Sequence, residues 1–263
     1  MSDANLVAVT RAPSPRMEVG ERTYVDSAPI DAALALRQHQ QYQDALRRCG
    51  AHVVSLPACQ DLADCVFVED TAIVVDEIAV MMSMGAVSRR DEVPTIEAAL
   101  REFRTIAHVK LPARTDGGDV VRSGRDVFVG LSQRTNAAGV DMLRNILAPF
   151  GYSVMAVPVL RCLHLKSACS ALPDGSLLVN SNLIGAAPLQ RGGRELVSVP
   201  KTEPLAGDVL VIGERIIASD AFPETISLLG SRGWDVMPVS VSEFAKAEGG
   251  VTCLSLVFNA GLD

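Results

Sequence analysis

A recurring order of short elements constrains the fold of this chain more than any other feature of its sequence. Two β-branched runs that flank a turn are followed by an amphipathic helical pattern and a further apolar run, and the same order then begins again. The helical patterns that start near residues 91, 135, 183 and 222 are 44, 48 and 39 residues apart. This period is typical of repeat architectures, so repeated units are expected.

Each predicted unit contains two strands, a helix and a closing strand. The second unit is predicted as strands 71–75 and 78–82, helix 91–107 and strand 109–111; the third as strands 119–122 and 127–131, helix 135–150 and strand 153–157; the fourth as strands 167–172 and 177–180, helix 183–194 and strand 196–199; the fifth as strands 209–212 and 215–218, helix 222–232 and strand 236–239. The first unit joins both ends of the chain, with strands 252–258 and 6–10, helix 29–49 and strand 52–56.

These units predict an α/β fold in which five ββαβ repeats close into a ring. No linker is rich enough in proline and glycine to divide the chain, so residues 1–263 are expected to form one domain. The alternative is a doubly wound sheet, which would have one strand per helix instead of three. A phosphate-binding Gly-x-Gly-x-x-Gly or Walker sequence is also absent from the chain, which disfavours nucleotide-binding folds.

Composition excludes several classes of function. The chain has 263 residues, 48% hydrophobic and 21% charged, which is typical of a globular protein with a large core. Its formal charge of -7 argues against binding to nucleic acid or to an anionic membrane, since both require clustered cationic side chains. A small-molecule ligand is therefore the expected partner.

The cysteines and the N-terminal sequence indicate a reducing compartment. The N-terminus lacks the basic start and long apolar run of a signal peptide, and no apolar run is long enough to span a membrane. A cytoplasmic location is expected. In a cytosolic chain of this length, the six cysteines are expected to be free thiols rather than disulfides.

Reactive side chains occupy the same position in several units, at the entry to the first strand. Equivalent positions around a closed ring point towards its axis, so these side chains are expected to converge. The set contains one thiol, one imidazole and several carboxylates, namely Cys253, His164, Asp64, Glu69, Asp70 and Asp116. Buried carboxylates need cationic partners, so a bound cation or a nearby arginine is expected.

Structural explanations compete with this hypothesis for each residue. A cysteine beside Val251 and Leu254 is usually inert core filling, and a histidine between two leucines is by default a core residue. Cys162, His164 and Cys169 are close enough in sequence to suggest soft metal ligands. A fourth ligand is missing from this set, so neither a metal nor another cofactor is expected.

Several short motifs occur in a fixed order over nearly the whole chain. They are Arg37-Gln38-His39-Gln40, Asp64-Cys65-Val66-Phe67-Val68-Glu69-Asp70, Ser88-Arg89-Arg90, Asp116-Gly117-Gly118-Asp119-Val120, Phe128-Val129-Gly130-Leu131-Ser132 with Arg134-Thr135-Asn136, Leu163-His164-Leu165-Lys166-Ser167, and Thr252-Cys253. In their joint order and spacing they resemble one known family, the dimethylarginine dimethylaminohydrolases, within the superfamily of guanidino-modifying enzymes that includes arginine deiminase.

The resemblance implies a five-bladed αβ propeller and a role for each matching residue. Cys253 would be the nucleophile, His164 the general acid and base, and Asp116 the acidic partner that orients the histidine. The implied substrate-binding residues are Asp64, Glu69 and Asp70 for the guanidinium group, Arg89 and Arg134 for the carboxylate, Met17 on a lid where relatives often carry leucine, and Ala247 beside the nucleophile.

The resemblance also implies the reaction. A methylated arginine would be hydrolysed to citrulline and a methylamine through a covalent thiouronium intermediate, with a free amino acid as substrate and a monomer or homodimer as the assembly. Three alternatives remain: an arginine deiminase, an amidinotransferase, and a catalytically silent homologue that acts by binding. Intact Cys253, His164 and Asp116 disfavour the silent homologue, whereas the short chain and the Leu163–Ser167 motif favour dimethylarginine over arginine.

Overall fold

Five three-stranded sheets form the framework of the computed structural model, which describes residues 5–261. In every sheet the central strand pairs antiparallel with one neighbour and parallel with the other. This common topology confirms the predicted five repeats and the α/β class. Residues 1–4 and 262–263 of the expected domain lie outside the described residues.

The elements follow the order expected from the repeats with two exceptions: the fourth unit has no α-helix, and the short helix Ser242–Ala245 was not predicted. The elements are β1 (Leu6–Arg11), α1 (Ala32–Arg48), β2 (His52–Leu56), β3 (Ala72–Val74), β4 (Ile78–Met81), α2 (Val93–Leu100), β5 (Thr105–His108), β6 (Val120–Ser123), β7 (Asp126–Leu131), α3 (Ala137–Leu147), β8 (Ser153–Pro158), β9 (Cys169–Ala171), β10 (Leu177–Val179), β11 (Leu196–Ser198), β12 (Val209–Ile212), β13 (Arg215–Ser219), α4 (Pro223–Ser231), β14 (Asp235–Val239), α5 (Ser242–Ala245) and β15 (Leu256–Asn259).

The first blade closes the ring by joining the two ends of the chain. Its sheet has the order β15-β1-β2, and Leu6 pairs with Asn259 while Val9 pairs with Leu256. This pairing confirms the prediction that residues near both termini share one unit. None of the helices between residues 5 and 261 has the length and apolar character needed to cross a membrane.

Local signals explain where the two best-predicted helices begin and end. The Asp31 carboxylate accepts the Leu34 N–H at the start of α1, and the Asn136 side chain accepts the Gly139 N–H at the start of α3. Gly50 and Gly151 follow these helices with φ of 91° and 78°, a conformation that glycine adopts without steric cost.

The first, second and fourth units differ from their predicted boundaries. The predicted strand 252–258 begins only at Leu256, because Thr252–Leu254 form a 3-10 turn. Helix α2 ends at Leu100 instead of residue 107, because residues 105–108 form strand β5 and pair in parallel with β4. The closing strand of this unit therefore lies at 105–108 and not at the predicted 109–111. The predicted helix 183–194 is wrong: residues Ala187–Gly193 form 3-10 turns, and Gly192 and Gly193 have positive φ values that interrupt any helix. Tertiary pairing and backbone conformation override the weak helical pattern in both places.

The first strand of every blade lines a central channel of about 470 Å³, through β3, β6, β9, β12 and β15. Hairpin turns containing Gly124, Gly175 and Gly213 lie at one end of these strands. The segments that enter the strands therefore converge at the other end, which is where the sequence predicted the reactive side chains.

Candidate functional site

The entry segments before the first strands place the reactive side chains in one pocket. Short 3-10 turns precede these strands, and the turns contain Asp70 and Cys253, while Asp116 and His164 immediately precede two others. The pocket offers about 20 Å³ of free space and is lined by Glu21, Asp64, Phe67, Asp70, Arg89, Arg134, Leu163, His164, Ala247, Glu248, Gly249 and Cys253. The expected convergence is therefore present.

His164 lies between two carboxylates. Its Nε2 is 3.2 Å from Asp116 Oδ2, and its Nδ1 is 3.6 Å from Asp70 Oδ1. Burial lowers the pKa of His164, but Asp70 and the hydrogen bond with Asp116 outweigh it and raise the pKa to about 9. The imidazole is therefore protonated at neutral pH and is suited to act as an acid.

The two glycines after Asp116 allow these groups to approach one another. The Gly118 N–H donates to Asp70 Oδ1 at 3.1 Å, and a Cβ on Gly118 would lie 2.6 Å from His164 Nδ1. A Cβ on Gly117 would lie 2.0 Å from the Glu69 carbonyl oxygen. Only glycine fits at these two positions, which explains the Asp-Gly-Gly sequence in physical terms.

Cys253 lies in a setting that keeps its thiol protonated. The Gly250 N–H is 3.4 Å from Sγ and favours the thiolate, but burial, Asp208 and Glu69 raise the pKa well above its usual range. A cationic group bound beside the sulfur would oppose this shift by stabilising the thiolate. A bound cationic substrate would therefore shift Cys253 towards the thiolate.

The two predicted carboxylate-binding arginines differ in how their donors are used. Arg89 donates to Asp70 at 2.5 Å, twice to Glu92 at 3.1 and 2.8 Å, and to the Asp64 and Phe67 carbonyl oxygens. Arg134 is only 7% exposed, and within residues 5–261 its Nη1 makes no hydrogen bond. The only partner of Nη1 in this range is Asp116 Oδ2 in a long ion pair of 3.5 Å, whereas every guanidinium nitrogen of Arg89 is hydrogen-bonded, so Arg134 is better suited than Arg89 to bind an anionic ligand.

Two of the predicted substrate-binding residues do not reach the pocket. Met17 is 2% exposed and packs in the core cluster that contains Phe67 and Phe244. The Glu69 carboxylate faces the central channel, where it accepts from Lys166 and, at 2.7 Å, from Thr252 Oγ1. Glu69 therefore supports the residue before Cys253 from behind, while Asp64, Asp70, Arg89, Arg134 and Ala247 line the pocket as expected.

Other pocket residues were not foreseen from the sequence. Glu21, four residues after Met17, lines the pocket, and its backbone N–H donates to Asp64 Oδ2 at 2.9 Å. The Glu248 carboxylate accepts the backbone N–H groups of Thr23 and Tyr24, which holds this N-terminal segment against the loop that precedes Cys253. Isolated glutamates in polar segments carry no periodic signal, so only the fold identifies them.

The arrangement of polar side chains disfavours a metal site. Asp70, Asp116 and His164 offer ligand atoms within 4.8 Å of one another. However, two basic side chains flank this group, since Arg89 lies 2.5 Å from Asp70 and Arg134 lies 3.5 Å from Asp116, and a protonated His164 offers no lone pair to a metal ion. Cys162 and Cys169 do not belong to any such group among the described residues, and burial raises the pKa of both thiols to about 12.

The sequence of this chain is similar to those of one enzyme family. A family model described as "N,N dimethylarginine dimethylhydrolase, eukaryotic" matches residues 20–255. A protein named N(G),N(G)-dimethylarginine dimethylaminohydrolase from Streptomyces coelicolor is 39% identical over 250 residues, covering 95% of each chain. Its namesake from Pseudomonas aeruginosa is 32% identical over 230 residues, covering 87% of this chain and 90% of the other.

Solved structures show the same fold. The Pseudomonas aeruginosa enzyme, as a cysteine-to-serine variant complexed with citrulline, superposes with a TM-score of 0.91 at 30% identity, covering 95% of this chain and 98% of that one. The N-terminal domain of a cyanobacterial arginine dihydrolase superposes with a TM-score of 0.84 at 18% identity, covering 98% of this chain and 99% of that one. These superpositions confirm the five-bladed αβ propeller.

Proposed function

The chain belongs to the dimethylarginine dimethylaminohydrolase family, and we propose that it hydrolyses N-omega-methylated arginine to citrulline and a methylamine through a covalent adduct on Cys253. The single observation that carries the proposal is the shared pocket. Cys253, His164 and the carboxylates of Asp64 and Asp70 all line it. The citrulline bound to the Pseudomonas aeruginosa relative supports citrulline as the product.

The carboxylates of the pocket complement a guanidinium group. His164 and Arg89 outweigh burial and lower the pKa of Asp70 to about 2, so this carboxylate remains ionised. Binding a cation against Asp64 and Asp70 positions it next to the sulfur and lowers the pKa of the thiol by adding positive charge. The substrate thus helps to generate the thiolate that attacks it, and the thiol proton passes to solvent.

The first chemical step forms a carbon–sulfur bond and breaks a carbon–nitrogen bond. The Cys253 thiolate attacks the central guanidinium carbon, and the electron pair of the breaking bond passes to the methylated nitrogen. Protonated His164 donates its proton to that nitrogen, which leaves as neutral dimethylamine. Asp116, 3.2 Å from Nε2, holds the imidazole in place during this transfer.

The second step returns the enzyme to its starting state. Neutral His164 accepts a proton from a water molecule as its oxygen attacks the thiouronium carbon. The carbon–sulfur bond then breaks and its electron pair returns to Sγ. The second proton of the water passes from the hydroxyl to the thiolate, directly or through solvent, as the ureido carbonyl of citrulline forms. The same residue acts first as acid and then as base.

Arg134 is proposed to bind the amino-acid carboxylate. Replacing Arg134 by glutamine is expected to raise KM for dimethylarginine about 10- to 100-fold with little change in kcat, because a charge-assisted hydrogen bond to a non-reacting group is lost. Steady-state kinetics would measure this split. The exposed Arg37, replaced by glutamine, is the matched control.

A decarboxylated substrate sharpens this test. With N,N-dimethylagmatine, which lacks the carboxylate, the Arg134→Gln variant and the unmodified protein should have similar kinetic constants. An equal loss on both substrates would show that Arg134 acts on the fold or on the guanidinium instead.

The reaction is tested by offering arginine, monomethylarginine and asymmetric dimethylarginine separately. Citrulline and the released amine are quantified together. We expect citrulline and amine in equal amounts from the methylated substrates, and at most slow turnover of arginine. Arginine as the best substrate would favour the deiminase alternative, and the absence of citrulline from all three would contradict the proposal.

The remaining expectations concern the setting of the enzyme. All six cysteines are free thiols, which supports the proposed cytoplasmic location. Residues 1–263 are proposed to act as one catalytic domain, and the assembly is proposed to be a monomer or homodimer.

A further inference from the structure

A second cavity lies on the other side of the loop that precedes Cys253. It has a volume of about 390 Å³ and shares Leu163, Glu248 and Gly249 with the catalytic pocket. Apolar side chains form much of its wall, among them Val25, Leu205, Phe222, Val241 and Val251. These three residues therefore contact both the nearly filled catalytic pocket of about 20 Å³ and this larger space.

A buried carboxyl group of Asp208 lines this cavity. The side chain is 8% exposed, and its Oδ1 accepts the Thr252 N–H at 3.1 Å. A Cβ on Gly250 would lie 1.6 Å from the other oxygen, Oδ2, so the carboxyl packs directly against the catalytic loop. Burial and the nearby Glu69 raise the pKa of Asp208 to about 7. Lys166 partly offsets this rise in pKa but is itself paired with Glu69, so Asp208 forms no ion pair within residues 5–261.

The other charged residues that line the cavity do not supply a cationic partner for Asp208. Asp220 and Glu248 are also acidic. Arg161 is the basic lining residue among those described, and its Nε and Nη2 both donate to the Asn182 carbonyl oxygen, at 3.1 and 2.6 Å. Apolar walls with a net acidic lining complement a small cation that carries methyl groups.

The proposed reaction releases such an ion. Dimethylamine leaves the substrate as the neutral base, after it has taken one proton from His164. Because aliphatic amines have pKa values of about 10, it then acquires a further proton from solvent at neutral pH and becomes a cation. Resting on the proposed function, we propose that the Asp208 cavity is a second binding site, specific for small alkylammonium ions, that receives the amine released from the substrate. The carboxylate of Asp208 binds the ammonium, and the apolar walls contact its methyl groups.

Ligand-observed NMR tests this site without turnover. The Cys253→Ser protein is saturated with citrulline, so that the catalytic pocket is occupied, and dimethylammonium chloride is titrated at constant ionic strength. We expect saturable binding that citrulline does not displace. Asp208→Asn should weaken that binding at least about tenfold, because a charge-assisted hydrogen bond is lost. The exposed Glu214, replaced by glutamine, removes one charge from the same blade as the control.

A filling variant gives an independent measurement. Ala245 lies in α5 at the cavity wall, and Ala245→Leu should abolish dimethylammonium binding while the affinity for citrulline stays unchanged. Non-saturable binding, displacement by citrulline, or equal affinity in the Asp208→Asn and Glu214→Gln proteins would each overturn the inference. Failure of the proposed function would show differently, as an absence of citrulline when the unmodified protein is incubated with dimethylarginine.

Discussion

Replacement of Cys253 by serine is expected to reduce kcat/KM for asymmetric dimethylarginine by at least about 10⁴-fold, since losses of this order follow removal of a covalent nucleophile. A hydroxyl is far less acidic than a thiol, and the carboxylates that already raise the pKa of Cys253 would raise that of a serine further. The variant should still bind substrate, because the guanidinium and carboxylate contacts remain. Citrulline formation and equilibrium binding of substrate would be measured on the same preparation.

The control is a cysteine outside the pocket. Cys59 is partly exposed and accepts a hydrogen bond from Arg11, so Cys59→Ser should retain activity within a few fold of the unmodified protein. Mass spectrometry during turnover should detect an adduct on the peptide containing Cys253. An adduct on another cysteine, or a Cys253→Ser protein with more than about one per cent of the original kcat, would disprove the nucleophile assignment.

Loss of the His164 imidazole is expected to have the second largest effect. His164→Ala should lower kcat for dimethylarginine by roughly 10²- to 10⁴-fold, the range typical of a missing general acid. The amine nitrogen is a poor leaving group without a proton, so formation of the thiouronium adduct should become rate-limiting. Rapid-quench measurement of amine release would report this step directly.

A substrate analogue with a better leaving group separates acid catalysis from structural damage. S-methyl-L-thiocitrulline loses methanethiolate, which needs no proton to depart. The His164→Ala variant should therefore form the covalent adduct with this analogue at a rate close to that of the unmodified protein. Equal impairment on both substrates would show that His164 only maintains the pocket.

The stability of the protein reports the charge on His164. Its pKa is 6.5 in an unfolded chain and about 9 in the folded protein. A raised pKa stabilises the folded state fully below pH 6.5, and this contribution is lost as the pH rises through about 9. The difference in unfolding free energy between the unmodified protein and His164→Gln should thus shrink across this window. A difference independent of pH would indicate a neutral histidine.

Periodicity was sufficient to identify the repeat, because strands and helices with a buried face carry regular patterns. Strands β2 and β12 have the predicted bounds. Helix α3 ends at Leu147, and a 3-10 turn, Ala148–Phe150, continues to Gly151, where the helix was expected to stop. Prediction failed where the pattern was weak. The segment 101–108 satisfies a helical pattern locally, but its last four residues gain more by pairing with β4, and only the folded chain provides that partner.

Residue chemistry and motif spacing by themselves predicted that a thiol, an imidazole and several carboxylates occupy equivalent positions in the repeats and therefore lie close together. Cys253, His164 and Asp70 do line one pocket. Tertiary structure alone decided which neighbours share it. Met17 packs in the core and Glu69 lines the central channel. Glu21 lines the catalytic pocket and Asp208 lines the second cavity, although both come from segments distant from Cys253 in sequence. A sequence pattern records the burial of regular elements, but contacts between loops depend on how complete blades pack. The direction of an isolated side chain is therefore fixed only after the ring closes.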